Sequence, residues 1–194
     1  MTLRSPRLSE SALVTIQGAV ASLARRLKYE VHALGGSEPN ALGIAAPHDV
    51  YTLGIDELAE GKGLEAAKPV GRRVLIMDAE QPVATAEISD PDGAGGAAAN
   101  EGPFTESTAS TIAEVESWPI VADGSYELRV LRVPALYVMA LWLKDEGGKS
   151  DILVPLDPAP TGMEPGRGYT EKQLLGELRD RASSRQGDCD ERSS

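Results

Sequence analysis

Cysteine, histidine, phenylalanine and long apolar runs are all scarce in this chain of 194 residues. The single cysteine, Cys189, cannot form an internal disulfide, and its neighbours Asp188, Asp190 and Glu191 disfavour a reactive thiolate. This usage fits a reducing cytoplasm. His32 and His48 are the only histidines, and without an HExxH pattern or paired cysteines they give no zinc signature. His48 precedes Asp49, but adjacency in sequence does not make a catalytic dyad. Asp90, Asp92 and Asn100 lack the other ligands of an EF-hand. There is no G-x-S-x-G elbow, no GxGxxG pattern and no phosphate-binding loop. The longest apolar run, Ala135–Leu143, has nine residues, against the roughly 20 of a membrane-spanning helix. The start, MTLRSPRLSESALVTIQGAV, is polar where a secretory signal is apolar. These absences leave no catalytic residue, cofactor or metal to assign, and they predict a cytoplasmic protein.

What is present is acidic. Nineteen basic and 30 acidic residues give a net charge of −11 and a pI near 4.7. Such a surface repels phosphate backbones and anionic lipid, so neither nucleic acid nor membrane is expected as a partner. Arginine outnumbers lysine, and Ala and Gly are abundant, which points to a GC-rich bacterial genome. The charge is unevenly spread. Residues 1–34 carry Arg4, Arg7, Arg25, Arg26 and Lys28 against Glu10 and Glu30, a net of +3 that leaves −14 for the remainder. Between Arg73 and Arg129 there is no basic residue, while Glu101, Glu106, Glu114 and Glu116 fall in that window. Either the basic segment folds near the acidic one, or one of the two faces a partner.

Hydrophobic residues make up 41% of the chain, enough for a core. Ser9–Leu34 shows a helical stripe of Leu13, Ile16, Val20, Leu23 and Leu27, then Val31 and Leu34, with Ser9 or Ser11 as cap. Glu30 at a d position and Gly18 in the interior argue against a coiled-coil seam, so this helix is expected to pack on its own sheet and the protein to be a monomer. Val50–Leu53 reads as a short strand and Ile55–Glu60 as one or two helical turns. Arg72–Asp78 and Val83–Ser89 read as a hairpin, and Asp90–Pro103 as a long flexible Gly/Ala-rich loop. Thr105–Trp118 reads as a helix capped by Thr105 or Ser107 and stopped by Pro119. Three strands follow, Tyr126–Val133, Ala135–Lys144 and Asp151–Leu156, the middle one apolar on both faces and so central. A helix over Thr170–Arg181 opens with the capping box Thr170-x-x-Gln173. From Ser183 the chain is polar and expected to be disordered.

This order predicts one α+β domain over residues 1–182, with a tail over 183–194. Its sheet is mostly antiparallel, with about five strands, a long N-terminal helix and two further helices packed on it. The order resembles cystatin-like cone folds, in which a curved sheet wraps a long N-terminal helix; the resemblance concerns the fold alone. Two functions fit. The first is a non-catalytic accessory, adaptor or immunity-like protein. It would meet a protein partner through Glu101, Glu106, Glu114 and Glu116, or through the N-terminal helix with Arg25, Arg26 and Lys28. The second is a small-molecule-binding protein or enzyme with a pocket between curved sheet and helix, walled by Tyr126, Tyr137 and Trp142.

Overall fold

The computed structural model describes residues 3–27, 41–90, 92, 95–148 and 150–191, with side chains up to Arg25 in the first helix and up to Ser183 in the last. Lys28, Glu30, His32 and the rest of the first predicted helix to Leu34 lie outside the described residues, as does the Arg26 side chain. Among the described residues the class is α+β, built on one large sheet. The sheet has nine strands rather than about five.

The strands are β1 (Leu3–Arg4), β2 (Gly43–Thr52), β3 (Lys68–Asp78), β4 (Gln81–Ile88), β5 (Ala97–Asn100), β6 (Tyr126–Val133), β7 (Val138–Asp145), β8 (Ile152–Pro155) and β9 (Tyr169–Thr170). They lie in the order β5-β4-β3-β2-β6-β7-β8-β9, with β1 also paired to β6. Most pairs are antiparallel, but β1 and β2 both run parallel to β6. The two share one edge of β6. Asp49–Thr52 of β2 pairs with Arg129–Arg132, and Leu3 and Arg4 of β1 pair with Tyr126 and Glu127. The reason lies in β2 itself. Between Ala45 and His48 its register shifts, with Ala46 in the left-handed region at φ 44° and Pro47 unable to donate. That bulge peels β2 off β6, and β1 fills the vacated edge. The same proline hides the strand in sequence, so only its end, Val50–Leu53, is legible there.

Two other departures have local causes. Ala97–Asn100, read from sequence as part of a loop, forms the edge strand β5 against β4. Alanine has little strand preference; here Ala99 is buried under the first helix, and packing decides. Residues Pro134–Leu136 form a 3-10 turn closed by Tyr137 at φ 59°, so β7 begins at Val138 rather than Ala135. From Val138 on, the two-faced pattern holds. Val138, Ala140 and Trp142 enter one core, and Met139, Leu141 and Leu143 the other. The β3–β4 hairpin turns at Ala79–Glu80, and Gly71 of β3 passes β4 where any Cβ would collide with the Ile88 carbonyl oxygen.

The helices are α1 (Glu10–Leu27), α2 (Ile55–Ala59), α3 (Phe104–Glu116), α4 (Pro119–Asp123) and α5 (Glu171–Glu191). Ser9 caps α1, accepting from the Ala12 amide at 3.1 Å. Ala12, Ile16, Val20, Leu23 and Ala24 are buried against β3, β4 and β5. The capping box of α5 is present: the Gln173 amide donates to Thr170 Oγ1 at 3.3 Å, and Gln173 Oε1 accepts from the Thr170 amide at 2.9 Å. The helix continues past Arg181 to Glu191. Leu174, Leu175 and Leu178 pack with Leu53, Leu58 and Trp142. α3 buries Thr105, Thr108, Thr111, Ile112 and Val115; Pro103 stands at its N-cap, and neither Thr105 nor Ser107 caps it.

Cross-strand register assigns the faces. Arg72 pairs with Asp49, Asp49 with Arg129 and Arg129 with Trp142, so all four point to one side. Val74, two residues from Arg72, packs on α1, and Trp142 packs on α5. α1 and α5 therefore cover the same face, at opposite ends of the sheet. α3 and α4 cover the other, over Leu75, Val130, Leu141 and Val154.

Candidate functional site

On the α3 face four strands contribute charged or polar side chains to one place. Arg73 of β3 is paired in register with Glu87 of β4 and His48 of β2. Arg132, on β6, reaches across to Glu87: its two Nη atoms donate to the two carboxylate oxygens, Nη1 at 2.9 Å. This is the fork-on-fork geometry that arginine makes with a carboxylate. Arg73, only 7% exposed, gets less. Its Nε stands 3.8 Å from Glu87 Oε2 and makes no hydrogen bond, and Nη1 donates to Met139 Sδ at 3.1 Å. A thioether is a weak acceptor for a guanidinium. Burial and the Arg132 charge lower the Arg73 pKa to about 10, while Glu87 raises it, so Arg73 stays charged at neutral pH. Arg132 Nε is also buried without a partner. The set holds two cations for one anion.

His48 adds no charge. It is fully buried, its Nδ1 donates to the Ala46 carbonyl at 2.7 Å, and Nε2 has no partner. Burial brings its pKa down to about 4; the Ala46 carbonyl opposes the shift, Arg73 and Arg132 reinforce it, and Asp49 opposes it. The left-handed backbone of Ala46 aims that carbonyl back at the ring. The ring is thus locked as a neutral imidazole beside two cations.

Two cavities meet at Arg132. One, of about 470 Å³, is lined by Val70, Glu87, Ser89, Ala98, Asn100 and Arg132 among others. The second, of about 370 Å³, is lined by Phe104, Arg132, Pro134, Tyr137, Val138 and Met139. The first is polar, the second apolar apart from Arg132. A larger hollow of about 540 Å³ on the α1/α5 side is lined by groups that hold one another. There Lys144 meets Asp151 at 3.2 Å, Arg179 donates to the carbonyls of Gly61 and Lys62, and Glu171 accepts from the Leu64 amide. Arg179 Nε is buried without a partner here as well, but only on the α3 face do two arginines share one carboxylate, so the Arg132 cleft is the better candidate site.

The aromatics predicted as one pocket wall are not brought together. Tyr126 is buried in the α3-side core and Trp142 in the α5-side core, and Tyr137 is 79% exposed at the rim of the apolar cavity. The left-handed turn at Tyr137 takes it out of the strand alternation on which that expectation rested. Between α1 and the sheet the hollow lined by Val20, Leu42 and Ile76 measures only about 20 Å³, space for roughly one water. Of the predicted surface, Arg25 is exposed on α1, and Glu106, Glu114 and Glu116 are exposed on α3. Glu101 is half-buried ahead of α3. α1 and α3 lie on opposite faces, so the basic helix does not cover the acidic one. Among the described residues no group of three or more His, Cys, Asp and Glu side chains is placed to hold a metal, and no helix is long and apolar enough to cross a membrane.

The geometry defines an α+β protein with a surplus of buried positive charge beside a cleft. Compared with known proteins, the chain matches no family model, no curated protein and no solved structure.

Proposed function

We propose that this is a monomeric, non-catalytic binding protein of the cytoplasm that holds a small anionic molecule in the cleft over Arg132. The observation that carries the reading is the charge imbalance at the junction of two cavities: Arg73 and Arg132 share the single carboxylate of Glu87. A buried uncompensated cation is costly, and an incoming anion removes that cost. Arg73 Nε and Arg132 Nε are also buried without partners, as are Arg129 Nε and Arg179 Nε on the other face; the shared carboxylate is what supports a ligand at this cluster. The monomer is supported by α1, whose apolar stripe is used against its own sheet.

The test is calorimetric titration with acetate, phosphate and sulfate at fixed ionic strength, beside thermal melting. Saturation by at least one of these anions is expected, and at 100 times its Kd the ligand should stabilise the fold by about 2.7 kcal/mol. Arg132→Gln should abolish both effects. An absence of saturation by every anion, or binding unchanged in Arg132→Gln, overturns the reading.

A second reading is an accessory or adaptor protein that presents its acidic helix to a basic partner. It is favoured by the exposure of Glu106, Glu114 and Glu116 on α3, across the sheet from Arg25. Replacing all three by lysine should then release a partner that the wild-type protein captures from native cell extract in a salt-sensitive way. Capture that survives the triple replacement refutes it.

A further inference from the structure

We infer that the molecule held in the cleft is an amphipathic monocarboxylate, its carboxylate taking the place of Met139 Sδ on Arg73 beside Arg132, and its tail lying along Phe104, Pro134, Tyr137 and Val138. The inference rests on the anion-binding reading and narrows it to one ligand class. Charge comes first. Two arginines and one glutamate leave a residual of one positive charge, which a monoanion neutralises. A phosphate monoester, at about −1.5 to −2, overshoots.

Position comes next. Arg73 spends a donor on Met139 Sδ, and Met139 is a wall of the apolar cavity that Arg132 also lines. Arg73 itself lines neither cavity but lies behind the sulfur, so an anion that enters this cavity and displaces Met139 Sδ meets Arg73 beside Arg132. Exchanging a thioether for a carboxylate oxygen strengthens the hydrogen bond. Methionine has three rotatable bonds, so its side chain can withdraw without disturbing β7. Behind the headgroup the remaining walls are apolar. The cavity, at about 370 Å³, falls within the range of roughly 300–1,000 Å³ that holds small organic ligands. Tyr137 at its rim is held outward by its left-handed turn and presents a ring to solvent that a tail would cover.

Calorimetric titration of the full chain with acetate, octanoate, octanol and octyl phosphate tests each part. Octanoate should bind more tightly than acetate, by about fourfold for each methylene buried, and more tightly than octyl phosphate; octanol should not bind. Tyr137→Ala, at an exposed position outside both cores, should weaken octanoate severalfold and leave acetate unchanged. Met139→Leu, close to isosteric, removes the competing acceptor and should strengthen octanoate binding. Equal affinity for acetate and octanoate overturns the tail assignment while leaving anion binding intact. Octanol binding as well as octanoate, or octyl phosphate binding better, overturns the carboxylate. Weaker octanoate binding by a folded Met139→Leu overturns the headgroup position. If none of the four binds while phosphate or sulfate does, the monocarboxylate assignment alone fails; if phosphate and sulfate fail too, the anion-binding reading fails as well.

Discussion

The two faces of the central strands treat their charges differently. On the α1/α5 face three strand cations each have a carboxylate of their own. Arg72 donates to Asp49 at 2.7 Å, Arg129 to Glu127 at 2.6 Å and Lys144 to Asp151 at 3.2 Å. Arg129 also lies over the rings of Tyr51 and Trp142, 4.9 and 5.0 Å from their centroids. Asp151 further accepts from Trp142 Nε1 at 2.7 Å. On the α3 face Arg73 and Arg132 share Glu87, and His48 stands next to them uncharged. The balanced face reads as framework. On the α3 face a surplus positive charge lies beside two cavities that meet at Arg132; buried guanidinium donors without partners occur on both faces, at Arg73 and Arg132 on one and at Arg129 and Arg179 on the other, so the shared carboxylate is what sets the α3 face apart. The same residue types, a few ångströms apart through one sheet, thus do different work according to how they are matched.

Acid should break the unbalanced face first. The His48 pKa lies at about 4, below its ordinary 6.5, because the charged ring cannot be solvated among Arg73, Arg132 and the surrounding core. The unfolded chain therefore takes up this proton before the folded one does. The stability concerned is fully present above about pH 6.5, shrinks as pH falls, and is gone near pH 4. The difference amounts to about 3 kcal/mol. Urea unfolding of wild type and His48→Gln between about pH 5 and pH 7.5 captures about 2 kcal/mol of it. The variant's stability should lose less on acidification. Equal losses would mean that His48 is not held neutral.

Removing the shared carboxylate is the next largest change. Glu87→Gln leaves Arg73 and Arg132 with no counter-charge, and it should cost about 2–3 kcal/mol, less than a fully buried pair because Glu87 keeps some solvent contact. What separates this site from an ordinary ion pair is rescue. Added acetate should restore much of the loss in Glu87→Gln, since an anion can enter beside Arg132. A loss that acetate leaves untouched would show that the cleft does not accept anions.

The contrast between the faces also explains what could be read from sequence. The hairpin of β3 and β4, the capping box of α5 and the two-faced run of β7 are local patterns, and each is legible within about 20 residues. The strand β1 and the parallel pairing of β2 with β6 are not, because they depend on partners far along the chain, and β5, though next to β4 in the chain, depends on burial under the distant helix α1. Alanine-rich β5 and proline-bearing β2 carry no strand signal of their own. The site is harder still, for its members come from four strands. A clue does exist in single charges on otherwise apolar strand faces. Arg132 ends the series Tyr126, Leu128, Val130, and Arg73 begins the series Arg73, Leu75, Met77. A charge on a face that is otherwise buried must be matched by something, and Glu87 is the matching acid on the neighbouring strand.

The balanced face offers a smaller, specific test. Asp49→Asn strips Arg72 of its carboxylate, and both side chains are largely covered. The cost should be about 1–2 kcal/mol. Here acetate should bring no rescue, because the pair lines neither of the cavities that meet at Arg132. Recovery equal to that of Glu87→Gln would erase the distinction between the faces and reduce it to general ionic screening.

The smallest effect concerns the two arginines of β6, three residues apart and on opposite faces. Arg129→Lys keeps the positive charge near Glu127 but replaces a flat guanidinium by a point charge, which cannot cover the rings of Tyr51 and Trp142 together. The Arg129 side chain is 19% exposed, and a cation–π contact so placed is worth about 1 kcal/mol, so the fold should lose about that much. Trp142 fluorescence should change, since the ring loses its cationic neighbour, while anion affinity should not. Arg132→Lys should do the reverse: lysine cannot fork onto Glu87 and an incoming anion together, so anion affinity should fall about tenfold or more, with little change at Trp142. Two conservative substitutions on one strand would thus separate a packing arginine from a binding one. If Arg132→Lys keeps the full anion affinity, charge alone governs the cleft and the geometry of Arg132 does not.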